Sequence, residues 1–254
     1  MILALIQARM NSTRLPGKVM MPLLGKPVIW RIYERLQFSK KIDKICICTS
    51  TSSNDNIIAN FADENNLLCY RGSEKDLISR HLGAAKKFSA NLLVRITSDD
   101  PLVDPQIIDE LLELYESNNN VDFLSNAKDH SFPVGLEVEI FPITTLEKFQ
   151  KNSQNEIFYE YFIRDYVFEH PNEFKIINMK SKNPTLHRWT LDYPEDYEFM
   201  QQIFLNLYES GKIFLMKDIL KFLEQNPEIV KINSMHYSEF SHLKYQREIS
   251  KNDF

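Results

Sequence analysis

Three cations and two hydroxyls gather near the start of the chain, in Arg9-Met10-Asn11-Ser12-Thr13-Arg14-Leu15-Pro16-Gly17-Lys18, with no acid among them. Such a set suits a polyanion, most simply a nucleoside triphosphate. A short basic run can equally be solvated surface, so its position matters. It follows Ile2-Leu3-Ala4-Leu5-Ile6, an apolar run that reads as a strand buried on both faces. It ends in Pro16-Gly17, which fixes the shape of a loop. A polar loop leaving a buried first strand is where an open α/β sheet presents a ligand site. Two competing phosphate motifs are missing. Ser12 stands where a P-loop needs its first Gly, Val19 replaces the Ser/Thr after Lys18, and no Gly-x-Gly-x-x-Gly occurs among only six glycines.

Acids follow at two other strand ends. Asn91 to Ile96 reads as a strand running into Thr97-Ser98-Asp99-Asp100-Pro101. Asp99 and Asp100 could cap the next helix, but Asp104 is the better cap, because Pro105 suits the first helical position. A carboxylate facing a triphosphate is what Mg²⁺ requires, since that ion takes oxygen ligands and bridges substrate phosphates. Arg188 to Leu191 reads as a strand ending at Asp192, ahead of Tyr193-Pro194-Glu195-Asp196, which opens a helix. Glu137 and Glu139 alternate with Leu136, Val138 and Ile140, so both acids share one face. They are either the wet face of an edge strand or the lining of a pocket for hydroxyl and amide groups.

The elements between these points alternate, which implies parallel strands joined by crossovers. Helices are expected over 28–36, 55–64, 75–88 and 105–117, with strands at 42–48 and 67–70 and Ser73 as a helix cap. From Thr144 to His170 the chain is helical in pattern and rich in aromatics, suiting a second core layer or a self-association surface.

The string Ile6-Gln-Ala-Arg-Met-Asn-Ser-Thr-Arg-Leu-Pro-Gly-Lys18 resembles the signature of the acylneuraminate/Kdo cytidylyltransferases, in particular the spore coat polysaccharide biosynthesis protein F branch. That resemblance covers residues 1–205. It implies a Rossmann-like nucleotide-diphospho-sugar transferase fold with a mostly parallel central sheet, and transfer of CMP from CTP to an acidic sugar with release of pyrophosphate. It implies Arg9, Ser12, Arg14 and Lys18 on the phosphates, with Arg71 and Ser73 of Arg71-Gly-Ser-Glu74 beside the nucleotide. Asp99 and Asp192 take the places of the family's two metal-site aspartates, so Mg²⁺ is the implied cofactor and Arg9, Lys18, Asp99 and Asp192 the catalytic set. Phe-Pro-Val-Gly-Leu-Glu137-Val-Glu139 matches the branch and supports both acids as acceptor contacts. Relatives often carry Arg-Glu-His-Val-Thr-Pro where this chain has Asn155-Glu156-Ile157-Phe158-Tyr159-Glu160, a departure at the acceptor. A homodimer is implied as well. Another base, a phosphate or phosphonate acceptor, glycosyl transfer and a silent binding module stay open.

With 254 residues, 43% hydrophobic and 26% charged, the chain is expected to form one α/β domain over 1–254, with 205–254 a helical extension. A net charge of −5 argues against a general nucleic-acid binder. No apolar run approaches the roughly 18–20 residues of a membrane span, and the first apolar run lacks the basic region of a signal peptide. Cys46, Cys48 and Cys69 are odd in number and without a Cys-x-x-Cys; the first two alternate on a strand, as core thiols in a reducing cytoplasm would.

Overall fold

The computed structural model describes residues 1–129, 131–152 and 163–237. In β1 (Ile2–Gln7) the alternation separates two layers: Ala4 and Ile6 face the larger core, Leu3 and Leu5 the smaller. A two-residue hairpin, β2 (Pro22–Leu23) with β3 (Lys26–Pro27), leads into α1 (Val28–Leu36), whose Val28, Ile29, Ile32 and Leu36 bury against the larger core. Then come β4 (Lys44–Ser50), α2 (Asn56–Glu64), β5 (Leu68–Gly72), α3 (Leu77–Lys87), β6 (Leu92–Thr97) and α4 (Pro105–Glu116). The second half adds β7 (Phe123–Ser125), β8 (Glu139–Pro142), α5 (Ile143–Asn152), α6 (Ile163–Glu169), β9 (Ile176–Asn178), α7 (Pro194–Leu207), α8 (Met216–Gln225) and α9 (Pro227–Lys231).

The sheet order is β5-β4-β1-β6-β8-β7-β9, and only β8 runs antiparallel to its neighbours. The chain steps outward from β1 through β4 to β5, then returns to β6 on the other side of β1. That reversal opens a crevice at the carboxyl ends of β1 and β6, where such sheets take ligands. Loop 8–17 leaves the carboxyl end of β1, and Asp99 follows the carboxyl end of β6 beside it.

Asp104 caps α4, accepting the N–H groups of Gln106 (2.8 Å) and Ile107 (3.4 Å), with Pro105 in the first turn. The cap of α3 is Asp76, which takes the Ser79 N–H at 2.8 Å, and not Ser73. The reason is that β5 extends to Gly72, leaving Ser73 to shape the intervening turn by accepting the Asp76 N–H. Cys46 and Cys48 are buried together in the smaller core. Of the aromatic segment, Phe149 packs with Tyr166 and Phe174 in that layer, whereas Phe158, Tyr159, Tyr161 and Phe162 lie outside the described residues. Phe214, Ile219, Leu223 and Ile229 join the larger core.

Residues 188–191 form no sheet strand. They make one isolated bridge, Val134 to Arg188, and cross to the end of β6, where the Leu191 N–H donates to the Asp99 carbonyl at 2.7 Å. This crossing is close because residue 135 has no side chain. Gly135 holds φ +103°, and a Cβ there would stand 2.4 Å from the Trp189 carbonyl oxygen. Gly135→Ala therefore combines strain with a backbone clash. We expect it to destabilise the protein by about 2–3 kcal/mol in urea unfolding; a parent-like midpoint would contradict the close approach.

Candidate active site

The first loop is a closed structure. The Met10 carbonyl accepts the N–H groups of Ser12 (3.0 Å) and Gly17 (3.1 Å), and Gly17 holds φ +74°, a left-handed turn suited to glycine. Lys18 thereby begins a 3-10 turn with its side chain directed into the crevice. Asp55, buried just before α2, anchors the loop from below: its Oδ1 accepts the Met10 N–H at 2.7 Å and its Oδ2 the Ser50 hydroxyl. Arg71 braces the neighbouring turn, donating to the carbonyls of Ser50 (2.9 Å) and Ser52 (2.8 Å).

Loop and sheet end enclose a cavity of about 340 Å³, lined by Arg9, Ser12, Arg14, Lys18, Asp99 and Asp192 and also by Glu137 and Glu139. Eight of the ten residues expected from sequence thus come together. Arg71 and Ser73 are not in the lining; the contacts described above hold them in the β4 and β5 turns.

At the centre sits the Lys18 ammonium. It donates to Asp99 Oδ2 (2.8 Å), Asp192 Oδ1 (2.9 Å) and the Leu191 carbonyl (2.8 Å). Burial alone would lower the lysine's pKa, but the two carboxylates outweigh it and raise it. The same contact works in reverse on Asp99, where burial would raise the carboxyl and Lys18 holds it below its ordinary value. Arg14 reaches Asp192 Oδ1 at 2.7 Å from the solvent side. Asp100 differs from its neighbour. Burial, then Asp99 and Glu137, push its carboxyl well above the aspartate range, and it takes the Thr97 hydroxyl.

Beyond this cluster, β8 is an interior strand, so Glu137 and Glu139 are not the wet face of an edge. Glu139 is buried and paired with Arg95 of β6 at 2.8 Å, and Arg95 also donates to Gln7 at 2.7 Å. Glu137 precedes β8 and accepts the Gly135 N–H at 2.5 Å; burial pushes its carboxyl up. Arg164 of α6 lines the same end. The segment 155–160, where the chain departs from its relatives, lies outside the described residues.

A family model described as cytidylyltransferase matches residues 3–230. The chain belongs to the cytidylyltransferase family. Its members are CTP-dependent nucleotidyltransferases, and this enzyme is one of them. Among its relatives, an uncharacterised protein of Methanocaldococcus jannaschii is 33% identical over 92% of this chain and 94% of its own. The spore coat polysaccharide biosynthesis protein SpsF of Bacillus subtilis is 26% identical over 89% of this chain and 95% of its own. A solved cytidylyltransferase from Leptospira borgpetersenii superposes with a TM-score of 0.84 at 32% identity, covering 90% of this chain and 96% of that one. The sheet is accordingly that of the nucleotide-sugar transferase fold. Among the described residues, no helix is long and apolar enough to cross a membrane.

Sequence reasoning passed over Asp55, Arg95 and Arg164 as site residues. Arg95 left a signal, since a cation within the apolar run 92–96 must find a buried partner. Asp55 and Arg164 left none, because the loop that the one supports and the cavity that the other lines are built from residues distant in sequence. Asp196 reads from the sequence only as a helix-start acid, and it is far more. Fully buried, it accepts the N–H groups of Asp192 (2.9 Å) and Tyr193 (3.0 Å), the Asn233 amide (2.9 Å) and two bonds from Arg188. Burial alone would raise its carboxyl, but Arg188 and the other donors hold it below the aspartate range. Its contribution is therefore complete above about pH 4, the unfolded aspartate value, and fades as pH falls through the lower folded value. Asp196→Asn should cost about 3 kcal/mol at neutral pH and flatten the acid limb of a stability profile. Unchanged stability across that profile would contradict the role.

Proposed function

We propose that this cytidylyltransferase transfers CMP from CTP to an acidic sugar of the ulosonic or nonulosonic type, releasing pyrophosphate and supplying a CMP-sugar for surface polysaccharide. The observation that carries this reading is the meeting of the loop cation Lys18 with Asp99 and Asp192, from segments 81 and 174 residues away, in one cavity. In it, Arg9, Ser12, Arg14 and Lys18 take the triphosphate from the loop side. Asp99 and Asp192 face the phosphates across the cavity. The acceptor lies toward β8, where Glu137 and Glu139 meet its hydroxyl or amide groups and Arg164 its carboxylate.

The acid pair fits a divalent ion. Both oxygens already reach a single cation, the lysine ammonium, and the donors are hard oxygens. Among the described residues no group of three or more His, Cys, Asp or Glu could hold a metal alone. The pair would therefore hold Mg²⁺ together with phosphate oxygens and water, as that ion prefers. When bound, Mg²⁺ would supply charge neutralisation on the phosphates and lower the pKa of the acceptor hydroxyl. The protein's own share is placement: the loop fixes the triphosphate, and the β8 end aims the hydroxyl at the α-phosphorus opposite the leaving pyrophosphate. The new O–P bond forms as the bond to the β-phosphate breaks, and the hydroxyl proton passes to solvent. No protein nucleophile is needed. The cytoplasm, with its CTP, and a homodimeric state complete the proposal.

Pyrophosphate release with the four NTPs and a panel of ulosonic and nonulosonic acids tests this. Activity should require CTP and one class of acid, and fall at least about 10³-fold in Asp99→Ala and Asp192→Ala. Arg164→Ala should raise the KM for the acid about 10- to 100-fold, the worth of a charged hydrogen bond, with the KM for CTP unchanged. Activity on neutral acceptors alone, or failure to bind CTP, would overturn the assignment.

A further inference from the structure

The Lys18 side chain does more in the ligand-free protein than phosphate binding requires. Its three ammonium protons meet three oxygens at 2.8, 2.8 and 2.9 Å, so its donor capacity is filled. The side chain is only 9% exposed, and Asp192 beside it 5%. A divalent ion bound by Asp99 Oδ2 and Asp192 Oδ1 would need oxygen distances of about 2.0–2.1 Å. An ion so held would share both oxygens with the ammonium, so the two cations compete for the same acceptors. Withdrawing the ammonium takes from Asp99 its cation and leaves Asp192 only Arg14 and Arg188, which is costly unless another cation takes its place between the two acids. It also needs new acceptors for the ammonium, and triphosphate oxygens entering along the first loop provide them. Arg14 shares Asp192 Oδ1, but with about half its side chain in solvent it can swing away cheaply.

We propose that Lys18 is a place-holding cation: it bridges Asp99 and Asp192 in the free enzyme, excludes divalent metal, and yields the pair only when a triphosphate takes its ammonium. This inference rests on the reading of Asp99 and Asp192 as the metal pair. It makes metal and nucleotide binding mutually dependent, with each tightening the other by the same factor. It also gives product release a driving element. As pyrophosphate leaves, Lys18 loses its phosphate partners, returns to the carboxylates and displaces the ion.

Titration of the nucleotide-free protein with Mn²⁺, followed by the spin resonance of free Mn²⁺, tests this directly. Wild type should bind weakly, Lys18→Met at least about tenfold more tightly, and Lys18→Met with Asp99→Asn no better than wild type. Equal Mn²⁺ affinity in wild type and Lys18→Met overturns the place-holder while leaving the metal pair intact. If wild type also takes up no Mn²⁺ with a CTP analogue non-hydrolysable at its α–β bridge, beyond what the analogue binds itself, the metal pair falls too. Should Lys18→Met fail to fold, the wild type carries a second readout, the ¹⁵N resonance of the Lys18 ammonium, assigned by its loss in Lys18→Arg. Mg²⁺ alone should leave it in place, and the analogue with Mg²⁺ should move it. A shift with Mg²⁺ alone overturns the proposal.

Discussion

A buried ammonium held by two carboxylates and a carbonyl is the contact on which the rest of the site depends. Charges so placed are costly unless paired and hydrogen-bonded, and this one recruits partners from three separate segments. Lys18 comes from the end of the first loop, Asp99 from the end of β6, and Asp192 with Leu191 from the stretch that crosses beneath Gly135. In the ligand-free protein Lys18 is the cation that Asp99 and Asp192 share, while Asp192 is held by Arg14 and Arg188 as well. The Leu191 N–H to Asp99 carbonyl bond then fixes the crossing segment against β6 in backbone terms as well. The cavity is thus set by mutual neutralisation as much as by the sheet.

Behind Asp192 stands a second ionic layer. Arg188 spans Asp192 Oδ2 at 3.2 Å and Asp196 at 2.9 Å, and Asn233 ties Asp196 to the Arg188 carbonyl. Residues past α9 therefore reach within two contacts of a catalytic candidate. On the other flank, Asp55 holds the Met10 backbone and so carries the first loop. Both supports are acids at helix starts, and both are buried. Asp196 also settles its helix start by accepting the Tyr193 N–H, whereas Asp55 makes no cap bond to α2 and accepts from Met10 and Ser50.

The strand–helix alternation and the parallel crossovers were legible because they rest on local apolar periodicity and chain economy. Asp104 with Pro105 was legible for the same reason: a cap is decided within four residues. The gathering of Arg9, Ser12, Arg14 and Lys18 at one cavity was readable because its cations, hydroxyls and Pro-Gly turn are contiguous. The pairing of Asp99 with Asp192 was different. Ninety-three residues separate them, and only a resemblance to a known family placed them together. The extended segment 188–191 read as a strand because its residues favour one, yet a single bridge is all the geometry allows. Ser73 reads as a cap only if β5 ends at residue 70, and its extension to Gly72 is not written in its side chains. Arg164 and Asp55 had no local signal at all, since their roles arise only when distant elements close on the cavity.

The central claim is that Asp99 and Asp192 act as one unit on the same phosphates. A double-mutant cycle on kcat for pyrophosphate release, using Asp99→Asn, Asp192→Asn and the double variant, tests it most directly. If the pair is one unit, the double variant should be little worse than the more damaging single change, a large departure from additivity. Losses that multiply, as for independent sites, would contradict the account.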